Sequence, residues 1–194
     1  MTLDELRAAI AADPANAAMT AAGWVPLFTA SPSSRIVVIG QAPGRKAQEA
    51  GVAWRDASGA KLVDWLGVTD ELFHDPAAFA IVPMDFYYPG KGVSGDLPPR
   101  PGFAAKWHPP ILEQLTEVRL TLLIGSYAQR FYLGARAART LTETVRGWRD
   151  HLPLLPLVHP SPLNFRWQAR NPWFTEELVP KLRALVATAL ARPM

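Results

Sequence analysis

Two short stretches carry the side chains best suited to chemistry. In "LPLLPLVHPSPLNFRW" (152–167) an apolar run stops at one histidine set among prolines. The prolines fix φ and remove amide donors, so the loop is stiff and His159 is held at its start. Ser161 offers a hydroxyl of the kind that hydrogen-bonds phosphate, and Leu163 would project an apolar tip from the same loop. The second stretch, "GQAPGRK" (40–46), follows another apolar run. It is not a phosphate loop: three residues separate Gly40 from Gly44 where four are needed, and Arg45 intervenes before Lys46. What remains is a turn whose backbone can approach a ligand closely at Gly40 and Gly44. Each stretch taken alone also fits a plain structural role, His159 as a satisfied core histidine and 40–46 as a simple strand-to-helix turn.

The elements that must position these loops follow from apolar periodicity and capping signals. Strands are expected at "RIVVIG" (35–40), "AFAIVPM" (78–84), "RLTLLIG" (119–125) and "LPLLPLV" (152–158). A helix starts after Thr2, which forms a capping box with Glu5, and stops before Asp13-Pro14. Further helices are expected over "SGAKLVDWLGV" with Ser58 as cap, "TDELF" capped by Thr69, a segment around 109–117, "YAQRFYLG" capped by Ser126, "RTLTETVRGW", and a long closing helix from Asn171 with a kink at Pro180. Four apolar strands separated by helices imply an α/β fold, a three-layer α/β/α sandwich around a four-stranded, mostly parallel sheet. In such sheets ligands bind beyond the carboxyl ends of the strands, where 40–46, 85–92, 125–130 and 159–165 all fall. The Gly- and Pro-rich loop 86–103 is long enough to have a function of its own.

Composition narrows the function classes. With 194 residues, 49% apolar and 19% charged, the chain reads as one globular domain over 1–194. It has no cysteine, which excludes disulfides, thiolate zinc sites, iron–sulfur clusters and a cysteine nucleophile. Residues 1–14 lack the apolar core of a signal peptide and no apolar run is long enough to span a membrane, so a cytoplasmic, membrane-free protein is expected. The formal charge of +3 is unevenly placed. Residues 1–97 hold seven Lys/Arg against eleven Asp/Glu, whereas 98–194 hold thirteen against six. The second half is the better polyanion surface.

"GQAPG" after the first strand and "HPSPLN" after the last together resemble the uracil-DNA glycosylase superfamily, with "GVAWRDASGAKLVDWLGV", "PGKGVSGDLPPRP" and "LLIGSYAQRFYLG" extending the likeness over nearly the whole chain. It is most similar to a bacterial branch without an iron–sulfur cluster. The resemblance implies that Gln41, with Gly40 and Ala42 beside it, lines a base pocket, that Trp54 stacks on the flipped base, and that His159 hydrogen-bonds the base oxygen that gains charge. It further implies that Ser161 grips a phosphate and that Leu163 wedges into the gap left by the base; beside them, Asn164 and Arg166 are expected to add DNA contacts. Two positions depart from the pattern. Ala42 stands where several branches place a water-orienting aspartate, and Asp85 stands where others use an asparagine to read uracil, although a carboxylate donates no hydrogen bond unless protonated.

The chemistry implied is hydrolysis of an N-glycosidic bond in DNA, with uracil the leading base and an abasic site as product. Removing a base from the stack costs a few kcal/mol and calls for a wedge, phosphate grips and a stacking pocket. No metal or cofactor is required for this hydrolysis. Asp85, following a strand, is the first expectation for the water activator, and Asp56 the second, although Asp56 equally fits a helix N-terminal acid. The expected partner is DNA and the expected state a monomer. The alternative is a catalytically weak or inactive DNA-binding protein on the same fold. An enzyme acting on a free nucleoside would leave Leu163 and the basic half without a purpose.

Overall fold

The computed structural model describes residues 1–191. Four parallel strands, β1 (Ile36–Ile39), β2 (Phe79–Ile81), β3 (Leu120–Ile124) and β4 (Leu154–Leu157), form one sheet in the order β2-β1-β3-β4. Among the described residues ten α-helices surround it: α1 (Leu3–Ala12), α2 (Ala17–Ala21), α3 (Arg45–Ala50), α4 (Ala57–Leu66), α5 (Asp70–Phe73), α6 (Phe103–Leu112), α7 (Ser126–Leu133), α8 (Leu141–Arg146), α9 (Phe165–Arg170) and α10 (Val179–Leu190). The expected three-layer α/β/α sandwich is the fold, and every strand pair is parallel.

The layers follow from the two-residue period of the strands. Ile36 and Val38 of β1, Phe79 and Ile81 of β2, Leu122 and Ile124 of β3, and Leu155 and Leu157 of β4 enter one core with α4 and α10. Val37, Ile39, Ala80 and Leu123 point the other way, into a core with α1, α6 and α7. A strand covered on both faces has no polar side, which is why the strands read as apolar runs, broken only by the half-buried Thr121 of β3.

Several boundaries differ from expectation. β2 itself covers only Phe79–Ile81, shorter than 78–84, although the Val82 and Met84 amides on either side of Pro83 still donate to the Val38 and Gly40 carbonyls at 2.9 Å. α6 starts at Phe103 rather than near 109, with Gly102 in the left-handed region at its N-cap, and Pro109 and Pro110 lie in its last turn. The apolar stripe of Phe103, Trp107 and Ile111, buried in the second core, outweighs the two hydrogen bonds those prolines cannot make. Ser58 is not the cap of α4; Asp56 is, its Oδ1 accepting from the Gly59 amide at 2.9 Å. Ser126 is the first residue of α7, with Gly125 at the N-cap. The single closing helix is instead α9, a π-turn over Phe174–Leu178, and α10. Pro180 sits at the start of α10, where the widened turn before it replaces the expected kink.

The carboxyl end of β2 is held from beneath. His108 of α6 is buried, with Nε2 donating to the Pro83 carbonyl at 2.9 Å and Nδ1 facing the Tyr132 hydroxyl at 2.5 Å. Burial disfavours the charged ring and lowers its pKa from 6.5 to about 4, against the opposing pull of the Pro83 carbonyl. Above pH 6.5 the group is neutral whether folded or unfolded and has no effect. Between pH 6.5 and 4 only the unfolded chain takes up the proton, so stability falls, by on the order of 3 kcal/mol in all. Urea midpoints measured over that range are expected to drop for the wild type and to drop less for His108→Gln, which keeps a donor toward Pro83 without titrating.

Candidate active site

The three loops singled out by sequence meet at the carboxyl edge of the sheet. A cavity of about 470 Å³ is lined by the turn Gly40–Gly44, by Trp54, Asp56 and Ser58, by Pro83, by Ser94–Asp96, and by His159, Ser161 and Leu163. A second cavity of about 260 Å³ adjoins it, sharing Gln41 and His159 and extending to Ser126, Tyr127, Asn164 and Trp167. Of the residues expected to contact substrate, Gly40, Gln41, Ala42, Trp54, Asp56, His159, Ser161 and Leu163 surround the first cavity, and Asn164 faces the second. Arg166 lies apart from both, its guanidinium 5.7 Å from the Phe165 ring on exposed α9.

Trp54 owes its place to two glycines. It has φ 60°, the left-handed region that a side chain other than Gly or Asn enters at a cost of roughly 1–3 kcal/mol. A Cβ at Gly59 would lie 1.6 Å from the Trp54 carbonyl oxygen, and one at Gly40 would lie 2.8 Å from Cζ2 of its indole. Glycine at both positions lets the 53–56 turn sit down on α4 and the indole lie across the end of β1. His74 adds a hold, one ring nitrogen 3.0 Å from the Ala53 carbonyl. The indole is then stacked on His159, ring centres 5.7 Å apart and planes 30° from parallel.

His159 is positioned from the other side by its own loop. The Asn164 side chain donates to the His159 carbonyl at 2.7 Å, and the Leu163 amide donates to the Ser161 hydroxyl oxygen at 3.2 Å. Ser161 keeps its own proton free to donate. Leu163 is 83% exposed, an apolar tip held out in water by a closed turn between prolines. Burial lowers the pKa of His159, and the negative field of Asp56 opposes that shift without cancelling it. The ring is therefore neutral at pH 7 and able to donate through one nitrogen.

Asp85 is not in the cavity. Its carboxylate is fully buried and receives Nε and Nη2 of Arg100 at 2.7 and 2.8 Å, with the Tyr87 and Arg100 amides at 3.1 and 3.2 Å. Its acceptor sites are occupied, and the first expectation for the water activator gives way to a clamp across the two ends of the 86–99 loop. Arg100 also donates to Asn16 at 2.7 Å, joining the loop to the segment after α1. Between the clamped ends the chain folds into a small hairpin, with Lys91 bridged to Asp96, and the Gln41 side chain donates to the Leu97 carbonyl at 3.1 Å. This hairpin carries Ser94, Gly95 and Asp96 to the cavity. Sequence reasoning missed them because only the fold brings residue 96 opposite residue 41; the length of the Gly-rich loop was the one available signal.

The family model of the uracil DNA glycosylase superfamily matches residues 28–183, which include all three cavity loops. The chain belongs to that superfamily. Membership supports a DNA glycosylase type of function in general and DNA as the partner. Among the described residues no helix is long and apolar enough to cross a membrane. No group of three or more His, Asp or Glu side chains among them is suited to hold a metal ion. For this glycosylase-family protein the carboxylates on the cavity are Asp56 and Asp96, the latter 3.4 Å from the Tyr88 hydroxyl.

Two variants separate architecture from chemistry. Gly59→Ala is expected to lower stability by about 3 kcal/mol or more in denaturant unfolding, because backbone rather than a side chain meets the added methyl. Asp85→Asn is expected to destabilise by about 3 kcal/mol, since it leaves Arg100 without its counter-charge. Single-turnover rates of the surviving folded Asp85→Asn protein are expected to fall less than those of Asp56→Asn, because Asp85 shapes a wall of the cavity without lining it.

Proposed function

We propose that the protein is a monofunctional DNA glycosylase that hydrolyses the N-glycosidic bond of a deaminated base, uracil first among them, leaving an abasic site. The observation that carries this is the convergence of the Gly40–Gly44 turn, Trp54, His159, Ser161 and Leu163 on one cavity at the carboxyl edge of the sheet. Each supplies a separate need of the reaction. Leu163 fills the space vacated in the stack, Ser161 donates to a phosphate, and the Trp54 indole offers an apolar face to the extruded base.

As the C1′–N bond lengthens, the sugar gains oxocarbenium character and the base becomes an anion. A neutral His159 donates a hydrogen bond to the base oxygen on which that charge gathers, and its stacking on Trp54 holds the ring in place beforehand. A neutral donor suits the step because it does not attract the base before charge develops. Asp56 takes over the role first expected of Asp85. One carboxylate oxygen is fixed by the Gly59 amide, leaving the other to orient a water and to face the cationic sugar. The bond broken is C1′–N; water's oxygen joins C1′, and its protons are shared between the new hydroxyl and the departing base.

The reading of a weak or inactive DNA-binding protein keeps one specific support, since Ala42 occupies the cavity where a carboxylate would otherwise stand. Base release from an oligonucleotide carrying one uracil, under single turnover, decides between the two. His159→Ala is expected to slow release by about a hundredfold, the scale of losing one preorganised donor. Asp56→Asn is expected to slow it by tenfold or more. No release by the wild type from uracil, hypoxanthine or xanthine in single- or double-stranded DNA would overturn the enzyme reading, and retained salt-sensitive binding would then establish the alternative.

A further inference from the structure

The outer face of α7 has features that neither core uses. Tyr127 and Phe131, four residues apart and so on one side of the helix, are 39% and 45% exposed, with Arg130 exposed between them. They form one wall of a groove of about 330 Å³ whose other wall is the proline-rich segment Pro99–Pro101 and whose floor is Met84. Phe131 is braced from behind by the Tyr132 ring at 5.0 Å and by His108 at 6.2 Å, so its outward face is held rigid. Tyr127 also lines the smaller cavity that holds Gln41 and His159, which places the groove beside the candidate active site.

The only charged side chains among those lining this groove are Arg130 and Arg100, the latter paired with Asp85. No acidic residue occurs between Glu117 and Glu143, whereas Arg130, Arg136 and Arg139 are exposed there without an ion-pair partner among the described residues. Arg119, in the same span, is committed elsewhere, donating to the carbonyls of Ala189 and Ala191 at the amino edge of the sheet. Braced aromatic faces interleaved with unpaired arginines suit a polyanion with exposed rings. A duplex keeps its rings stacked on one another, so the fit is to an unpaired strand, whose bases stack on aromatic side chains while arginines track its phosphates.

We propose that the α7 face, with Tyr127, Arg130 and Phe131 at its centre, is a stacking track for single-stranded DNA leading away from the flipped nucleotide on one side. The inference rests on the DNA-glycosylase reading for its starting point, and it makes single-stranded DNA the favoured form of substrate. Bases of the flank lie against Phe131 and Tyr127 in the groove, and Arg136 and Arg139 lie beyond the end of α7 along the continuing backbone.

The test uses single-stranded oligonucleotides carrying one uracil, with two-nucleotide flanks on both sides or with one flank lengthened to about twelve, and a duplex of the same sequence. Equilibrium binding is measured for the wild type, Phe131→Ser and Arg130→Gln, with thermal melting as a check on folding. The wild type is expected to bind more tightly when one particular flank is long. Phe131→Ser is expected to abolish that gain, weakening the long-flank strand by about tenfold, the scale of one lost base stack, with the short strand and the duplex changed less than twofold. Arg130→Gln, a change at an exposed position, is expected to flatten the salt dependence of long-flank binding by about 0.7 in log–log slope. Equal losses on all three probes, or none on the long strand with both variants folded, would overturn the track. Should Phe131→Ser fail to fold, an unchanged slope for Arg130→Gln does so by itself. The glycosylase reading is scored separately by wild-type base release: flank-dependent binding without release keeps the track and removes the enzyme, and release with silent variants does the reverse.

Discussion

The buried ion pair of Asp85 with Arg100 is the constraint on which the shape of the site depends. Asp85 lies at the end of β2 and Arg100 just ahead of α6, so their two charge-assisted hydrogen bonds close a long loop at its base. A carboxylate removed from water needs nearly all its acceptor positions filled, and here a planar guanidinium and two backbone amides fill them. The remaining Arg100 donors reach Asn16 and Ala15, which extends the clamp to the N-terminal segment. With its ends pinned, the intervening chain has only a short hairpin to form, and that hairpin lies where Gln41 can bond to it. One interaction thus converts a flexible Gly-rich stretch into a wall of the cavity.

The opposite wall is built by steric economy. Glycines at 40 and 59 remove the methyl groups that would hold the 53–56 turn away from β1 and α4, and Trp54 takes up a left-handed backbone in return. That conformation persists because its surroundings over-determine it: α4 beneath, the His74 contact behind, and the His159 ring against the indole. The strain lies at the surface against which a base would stack. The same neighbours shield His159 from water, which lowers its pKa and leaves it a neutral donor. Packing, backbone geometry and electrostatics at this wall therefore have a common origin.

Charge is distributed to match. The acidic half of the chain contributes β1, β2 and the 86–97 hairpin, and with them Asp56 and Asp96, whose field belongs near a cationic sugar. The basic half contributes α7, α9 and the His159 loop, the surfaces that would meet phosphate. The carboxyl edge of the sheet is where the halves meet, since β1 stands between β2 and β3.

Much of this was legible in the linear chain. The four strands are apolar runs but for Thr121 in β3, and the Thr2 and Thr69 caps act through residues three positions away. The two glycine- and proline-bounded loops announce stiff turns at strand ends. These are short-range effects, and residue types a few positions apart suffice to specify them. The role of Asp85 was not legible, because its partner lies fifteen residues on and only folding brings the two within bonding distance. Nor was the start of α6, where the burial of Phe103 and Trp107 in a distant core outweighs two prolines. The place of Asp96 on the cavity and the choice of Asp56 over Ser58 as cap depended likewise on tertiary contacts. Local pattern can name an acid or a glycine as unusual; which groups share a cavity is settled by burial, because the cost of an unpaired charge or a misplaced methyl is felt only once water has been excluded.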